Sequence, residues 1–465
     1  MSFFQKLFST KPVGQRSTTN LNRCLTAMDL TMLGVGAIIG AGIFVLTGIA
    51  AATQAGPAVI FSYLLAGIAC GFSALAYAEL ASSVGGCGSA YGYAYASLGE
   101  LVAWIIGWDL LLEYGMDGAT VSIGWAGYVQ EALRALGLNL PEMFLKDPFH
   151  GGIINLPAVL IIFLLASVLS IGAKESALFN KVIVYVKLAI IALFIGIGLF
   201  HFDPQKWNPF LPFGVQGIVN GAGLIFFAYI GFDAVSTAAE EAINPQRDLP
   251  IGIIASLLIC TIIYVIFAAL LTGMMHYPEL NSSSPVANAL IHIGYRFSAE
   301  IIAIGAIAGL TTVILVMLYG ASRVFLAMAR DGLLPRFFEK VHVQSQTPRR
   351  LIWVIASIMA TTAGLLPINQ VANLVNMGTL AAFAVVSSGV IVLRYTKPNL
   401  ERSFRTPYAP FIPLIGVLLC FYLMSSLPAL TWISFGIWTL VGIVIYFSYS
   451  RFNSVLYKEA LSTGI

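Results

Sequence analysis

Between Asp29 and Glu79 the sequence carries no charged side chain. Similar gaps separate Lys206 from Asp233, Asp248 from Glu279, Glu300 from Arg323, Arg350 from Arg394 and Arg405 from Arg451. Runs of this length cannot face water. A bilayer core of about 30 Å takes about 20 apolar residues of helix, and helices and closed barrels are the structures that satisfy their own backbone in lipid. Composition agrees with the runs: 10% of residues are charged, against about 25% in soluble domains. A cytosolic enzyme, a secreted disulfide scaffold and a disordered chain are excluded. The net charge of +3 offers no footprint for nucleic acid. The chain reads as an all-α, multispanning membrane protein.

Twelve candidate spans follow: 28–52, 57–81, 91–133, 153–172, 178–200, 214–241, 250–275, 298–329, 351–367, 371–394, 409–427 and 430–450. Pro, Gly, Asn and Asp punctuate the breaks, as at Gln54–Pro57, Asp203-Pro204, Asn244-Pro245 and Lys397–Asn399. The third segment exceeds one simple span, so part of it tilts or extends into the cytoplasm. With the N-terminus inside and the spans alternating, nineteen Lys and Arg fall on the cytoplasmic side. Four fall outside (Arg134, Lys146, Lys206 and Arg296), and Lys187 is left within a span. That asymmetry places both termini in the cytoplasm.

The five cysteines, Cys24, Cys70, Cys87, Cys260 and Cys420, are scattered without a C-x-x-C spacing, so neither zinc nor redox chemistry is signalled. The expectation is no metal and no cofactor. Residues 1–20 are polar and basic, with no cleavable signal peptide.

Two spans are interrupted. The first carries glycines 34, 36, 40 and 42; the sixth carries Gly231 and Asp233 after Phe226, Phe227, Ala228, Tyr229 and Ile230. Gly in a helix interior costs about 1 kcal/mol relative to Ala, so four within nine residues favour unwinding. Close packing of helices through small residues is the competing explanation. Spans one and six correspond if spans 1–5 and 6–10 form two halves, and paired interruptions mark transporter sites. A repeat of five spans inserts its second copy upside down. Unwound backbone needs partners. The half-helix after Gly42 offers amides and a positive dipole end to a carboxylate. Carbonyls near Phe227, Ala228 and Ile230 could take an ammonium. Together they suit a zwitterion.

Three stretches, Asp29–Gly48, Phe226–Pro250 and Tyr319–Pro335, resemble the amino acid–polyamine–organocation superfamily. The second stretch looks like bacterial members of its cationic amino acid transporter branch, and the resemblance covers residues 22 to 450. The resemblance implies a LeuT-like fold with a 5+5 inverted repeat plus two C-terminal helices. Its parts would be a cytoplasmic segment 1–27, repeats 28–200 and 201–394, two additional spans within 395–450 and a tail 451–465. Animal members have fourteen spans; this chain has twelve. The resemblance places the substrate carboxylate on backbone of Gly40, Ala41 and Gly42, and the amine on backbone of Ile38, Phe227, Ala228 and Ile230. Ala41 departs from the Ser or Thr common there. Phe227 is either a gate over the substrate or an aromatic filling the core. Glu113 would line the side-chain end of the pocket, and Met317 would narrow it toward small neutral substrates.

Charges within spans are expensive and mark function. Lys187, about nine residues from either end of its span, lies too deep to snorkel easily. An ammonium there costs several kcal/mol or gives up its proton, so Lys187 is a proton carrier or a structural cation paired with a carboxylate. The resemblance adds that a lysine at this position replaces a sodium ion between helices one and eight. Asp109, Glu113 and Asp117 lie along one helix face, drifting about 40° per step. Asp109 could bond a neighbouring helix, and Glu113 could stay protonated. Asp117, small and apolar in the similar alanine transporter, could pair with Lys187, accept a cationic side chain or face an outer vestibule. Asp233 reads as a helix cap or an inner gate.

The expected protein is a secondary transporter importing L-amino acids, small neutral ones such as alanine favoured, by proton symport with alternating access. It would sit as a multi-pass protein in a bacterial plasma membrane. Its partners would be substrate, protons and lipid, with a small single-span accessory subunit as a further candidate. A carrier of arginine, lysine or ornithine, and an exchanger without net proton flux, are the alternatives. No H-E-x-x-H or G-x-S-x-G motif supports a membrane enzyme.

Overall fold

A computed structural model describes residues 7–11, 25–84, 89–135, 137–138, 141–171, 176–240, 242–282, 284–342, 347–456 and 458. Cys24, Cys87, Glu241 and most of 1–27 and 451–465 lie outside these residues. Helix falls within each of the twelve expected segments. We label them α1 (Ala27–Ile38), α2 (Val59–Ser83), α3 (Glu100–Ala135), α4 (Leu156–Ile171), α5 (Ser176–Phe200) and α6 (Gly214–Ile225). Next come α7 (Pro245–Met274), α8 (Arg296–Arg330), α9 (Arg349–Leu365), α10 (Ile368–Thr396), α11 (Phe411–Ser425) and α12 (Ala429–Ile445). Seven helical stretches are long and apolar enough to cross a membrane, one of them Ala27–Ser83, which takes in both α1 and α2; α4 and α11 are shorter apolar helices. Strand pairing among the described residues is limited to isolated bridges, Leu25 with Ala242 and His342 with Thr347.

The third segment differs from the expected 91–133. It divides into a short helix, Ala90–Ser97, and α3. Gly99 makes the corner with φ +97°, and the backbone of Phe8 fills the space where a side chain would stand. Only glycine adopts this backbone while another chain segment lies against it.

α1 begins at a reciprocal cap: the Thr26 hydroxyl accepts from Asp29 N–H, and the Asp29 carboxylate accepts from Thr26 N–H at 3.1 Å. It ends at Ile38. Ile39 is extended (φ −75°, ψ 98°), and the chain resumes as wide helical turns over Gly42–Leu46. The sixth segment breaks in the same manner. α6 tightens over Phe226–Tyr229, Ile230 is extended, and Gly231 takes φ +115°. The two breaks face each other. A Cβ on Gly231 would lie 2.9 Å from the Ala37 carbonyl carbon, and one on Gly42 would overlap the Ala228 backbone.

Around this pair, α7 packs on α1 and α2, α3 lies between α8 and α10, and α9 packs on α4. The outward faces of α11 and α12 are apolar and exposed, as at Leu418, Ile433 and Leu440. An apolar exterior around a core holding buried Asp, Glu and Lys is the arrangement lipid imposes.

Candidate substrate site at the broken helices

A broken helix leaves its last carbonyls without intrahelical partners. At the end of α1 three of them receive side-chain donors. Lys187 Nζ, from α5, donates to the carbonyls of Gly36 and Ile39, both at 2.9 Å. Tyr264 OH, from α7, donates to the Ile38 carbonyl at 2.8 Å. Beyond the break, Tyr128 OH donates to the Phe44 carbonyl at 2.8 Å, and Tyr63 OH lies 3.3 Å from the Gly42 carbonyl and 2.5 Å from Thr47 Oγ1. The break is therefore a fixed structure, held from α2, α3, α5 and α7.

Lys187 is fully buried. Its stem runs past α8, where a Cβ on Gly309 would lie 2.9 Å from Lys187 Cε. The amine thus stands between α1 and α8. No ion pair joins it to a carboxylate among the described residues, so neither the structural carboxylate pairing nor the Asp117 pairing is present. An ammonium against the negative end of α1 is favourably placed.

The half-helix after the break starts at Gly40, Ala41 and Gly42, all buried. Val313 of α8 lies against Gly40, with a Cβ there 3.3 Å from a Val313 methyl. From the sixth segment, Phe227, Ala228 and Ile230 are buried beside it, and Ala228 touches Gly42. The Phe227 carbonyl already accepts the Ile230 N–H at 3.2 Å, and the Ile38 carbonyl is shared with Tyr264. Each oxygen keeps a second lone pair for a ligand. Upstream, Asn376 Nδ2 of α10 donates to the carbonyls of Gly223 and Leu224 at 2.8 and 3.1 Å.

Met317 is buried on α8. The Gly118 position of α3 abuts both Met317 and Met359 of α9. Glu113 and Asp117 are buried on α3, at 0% and 2% exposure, so Asp117 does not face an open vestibule. Asp233 is not a cap for the short helix that follows it. Its carboxylate accepts Tyr114 OH at 2.7 Å and Gly231 N–H at 3.2 Å, tying the turn of the sixth segment to α3. Asp109 bonds no neighbouring helix: both of its oxygens are buried and unpartnered.

Sequence reasoning missed Tyr63, Tyr128, Tyr264 and Asn376. Their signal was present in outline, since a hydroxyl or amide deep in a span must find a partner. Which carbonyl it finds depends on the fold.

The sequence model of the family described as amino acid permease matches residues 25–453. The methylthioribose transporter of Bacillus subtilis (strain 168) is 48% identical over 97% of this chain and 99% of its own length. The branched-chain amino acid permease BcaP of the same organism is 47% identical over 94% of this chain and 95% of its own. Human cationic amino acid transporter 4 is 36% identical over 85% of this chain and 64% of its own.

Proposed function

The chain belongs to the amino acid permease family, and from that premise we propose that it imports small or branched neutral L-amino acids together with protons. The observation that carries the reading is the paired break, with Lys187 bonded to the last carbonyls of α1. Backbone amides at Gly40, Ala41 and Gly42 would hold the substrate carboxylate. Carbonyls of Ile38, Phe227, Ala228 and Ile230 would hold its amine. Recognition through backbone leaves side-chain choice to Glu113, Asp117, Met317 and Phe227. The two methionines at Gly118 support a neutral side chain of modest size.

Twelve spans with both termini inside, in two inverted five-helix repeats followed by two further helices, form the framework. Alternating access would move the α1 and α6 breaks as a body against α3 and α8. Lys187 links that body to α5 and packs on α8, so its proton can weight the equilibrium. A bound proton shifts two conformations only by the difference in its affinity for them. An amine satisfying Gly36 and Ile39 also supports transport without sodium.

A second reading rests on the 48% relative, whose name specifies methylthioribose. Its hydroxyls would donate to acceptors, and Glu113 and Asp117 are acceptors. Ligand-induced shifts in melting temperature separate the readings, since a ligand that binds only the folded state stabilises it. Purified protein would be heated with alanine, leucine, arginine and methylthioribose in turn. Stabilisation by alanine or leucine supports the proposal. Stabilisation by methylthioribose alone, or by arginine alone, replaces it.

A further inference from the structure

Two carboxylates in the interior are not used by the substrate backbone site. Among the described residues neither buried oxygen of Asp109 has a hydrogen-bond partner, and the buried carboxyl of Glu113 has only the Thr379 hydroxyl beside it. The residues sit one turn apart on α3, on the side toward α10. A Cβ on Gly378 of α10 would lie 2.7 Å from Asp109 Oδ1, so the carboxylate rests where α10 has no side chain. Thr379, the next residue, brings its buried hydroxyl to Glu113.

Asp233 provides the contrast. It is equally buried, yet Tyr114 OH and Gly231 N–H donate to it, so its charge has donors. Asp109 has none, and Glu113 only the Thr379 hydroxyl. The ionisable groups around Glu113 are Asp109, Asp117 and Asp233, with Tyr77 of α2 and Tyr114 beside them. None supplies a positive charge. α10 contributes Thr379 and, a turn away, Asn376, whose Oδ1 is also unpartnered. Ionised carboxylates only accept hydrogen bonds. Two of them a turn apart, with one hydroxyl to serve both, meet desolvation and mutual repulsion.

A proton resolves both. Transferred from hydronium to a carboxylate oxygen, it leaves water behind, removes the charge and turns that oxygen into a donor. Thr379 Oγ1 then offers an acceptor beside Glu113. We propose that Asp109 and Glu113 form a proton-binding site between α3 and α10, separate from Lys187, whose occupancy holds these two helices together. Loss of the protons would leave charge on α3 desolvated against α10, a cost that parting the two helices relieves by admitting water, so the packed arrangement binds protons more tightly than a separated one. This inference does not depend on which substrate is carried or on Lys187, and it is read without transport.

Infrared spectra of the purified protein in lipid, recorded in water and in D₂O, test it. At neutral pH the native protein is expected to show the carbonyl band of a protonated carboxyl group. Asp109→Asn should lose part of that band, and Asp109→Asn with Glu113→Gln should lose more. The native melting temperature should fall as pH is raised, with the fall reduced in the double variant. Absence of the band in the native protein overturns the proposal, even if the variants do not fold. So does a band of equal intensity in all three proteins, or an identical pH dependence of melting in the native and double-variant proteins.

Discussion

At the scale of single residues, two atoms' worth of space decide the site. Gly42 and Ala228 bring the backbones of the two breaks together, so Gly42→Ala must drive them apart. Overpacking of this sort costs about 1–3 kcal/mol. The expected outcome is a lower melting temperature and an uptake rate reduced at least tenfold, checked on protein of matched expression. Gly309→Leu should displace Lys187 from α1 and lower uptake as much as removing the lysine amine is expected to. Glycines 40 and 42 and Lys187 stood out in the sequence, because glycine clusters and a lone charge are rare in apolar runs. The tyrosines that complete the site did not. Tyr63, Tyr128 and Tyr264 come from three different helices, and nothing in their local sequence says that they converge on one carbonyl ladder.

At the scale of elements, the C-terminal end of α2 is tied to its neighbours at Glu79. Arg394 of α10 donates Nε and Nη2 to its two oxygens at 3.0 and 2.7 Å, Arg402 lies 3.3 Å away, and Thr406 N–H donates at 2.8 Å. One buried carboxylate thus joins α2, α10 and the loop before α11. Glu79→Gln takes the counter-charge from two guanidinium groups that keep backbone acceptors, and should cost about 3 kcal/mol, the low end for a broken buried pair because Arg394 is 28% exposed. Arg394→Gln should cost less, since Arg402 and Thr406 still serve Glu79. The Lys11–Asp331 pair, at 2.7 Å but with Lys11 44% exposed, sets the lower reference: Lys11→Ala should change stability by about 0–1 kcal/mol. Thermal unfolding in detergent orders the three. From the sequence, Glu79 was only a charge near the end of a span. Its partners lie more than three hundred residues away, and such pairings are fixed by the fold rather than by local pattern.

At the scale of the molecule, hydropathy made the helices legible because each lipid-crossing helix must be nearly continuous and apolar. It could not divide the segment beginning at residue 91, where the corner at Gly99 depends on the Phe8 backbone. Nor could it show that the first and sixth breaks touch, although their matching positions pointed there. That contact, with Lys187 between α1 and α8, is the centre of the account, and proton-driven uptake tests it most directly. Proteoliposomes holding native protein or Lys187→Met would be given labelled alanine or leucine under an inside-alkaline pH gradient without sodium. The account predicts accumulation above equilibrium by the native protein and loss of gradient-driven accumulation in Lys187→Met. Accumulation that requires internal amino acid and ignores the pH gradient, or that survives the loss of the lysine, would contradict it.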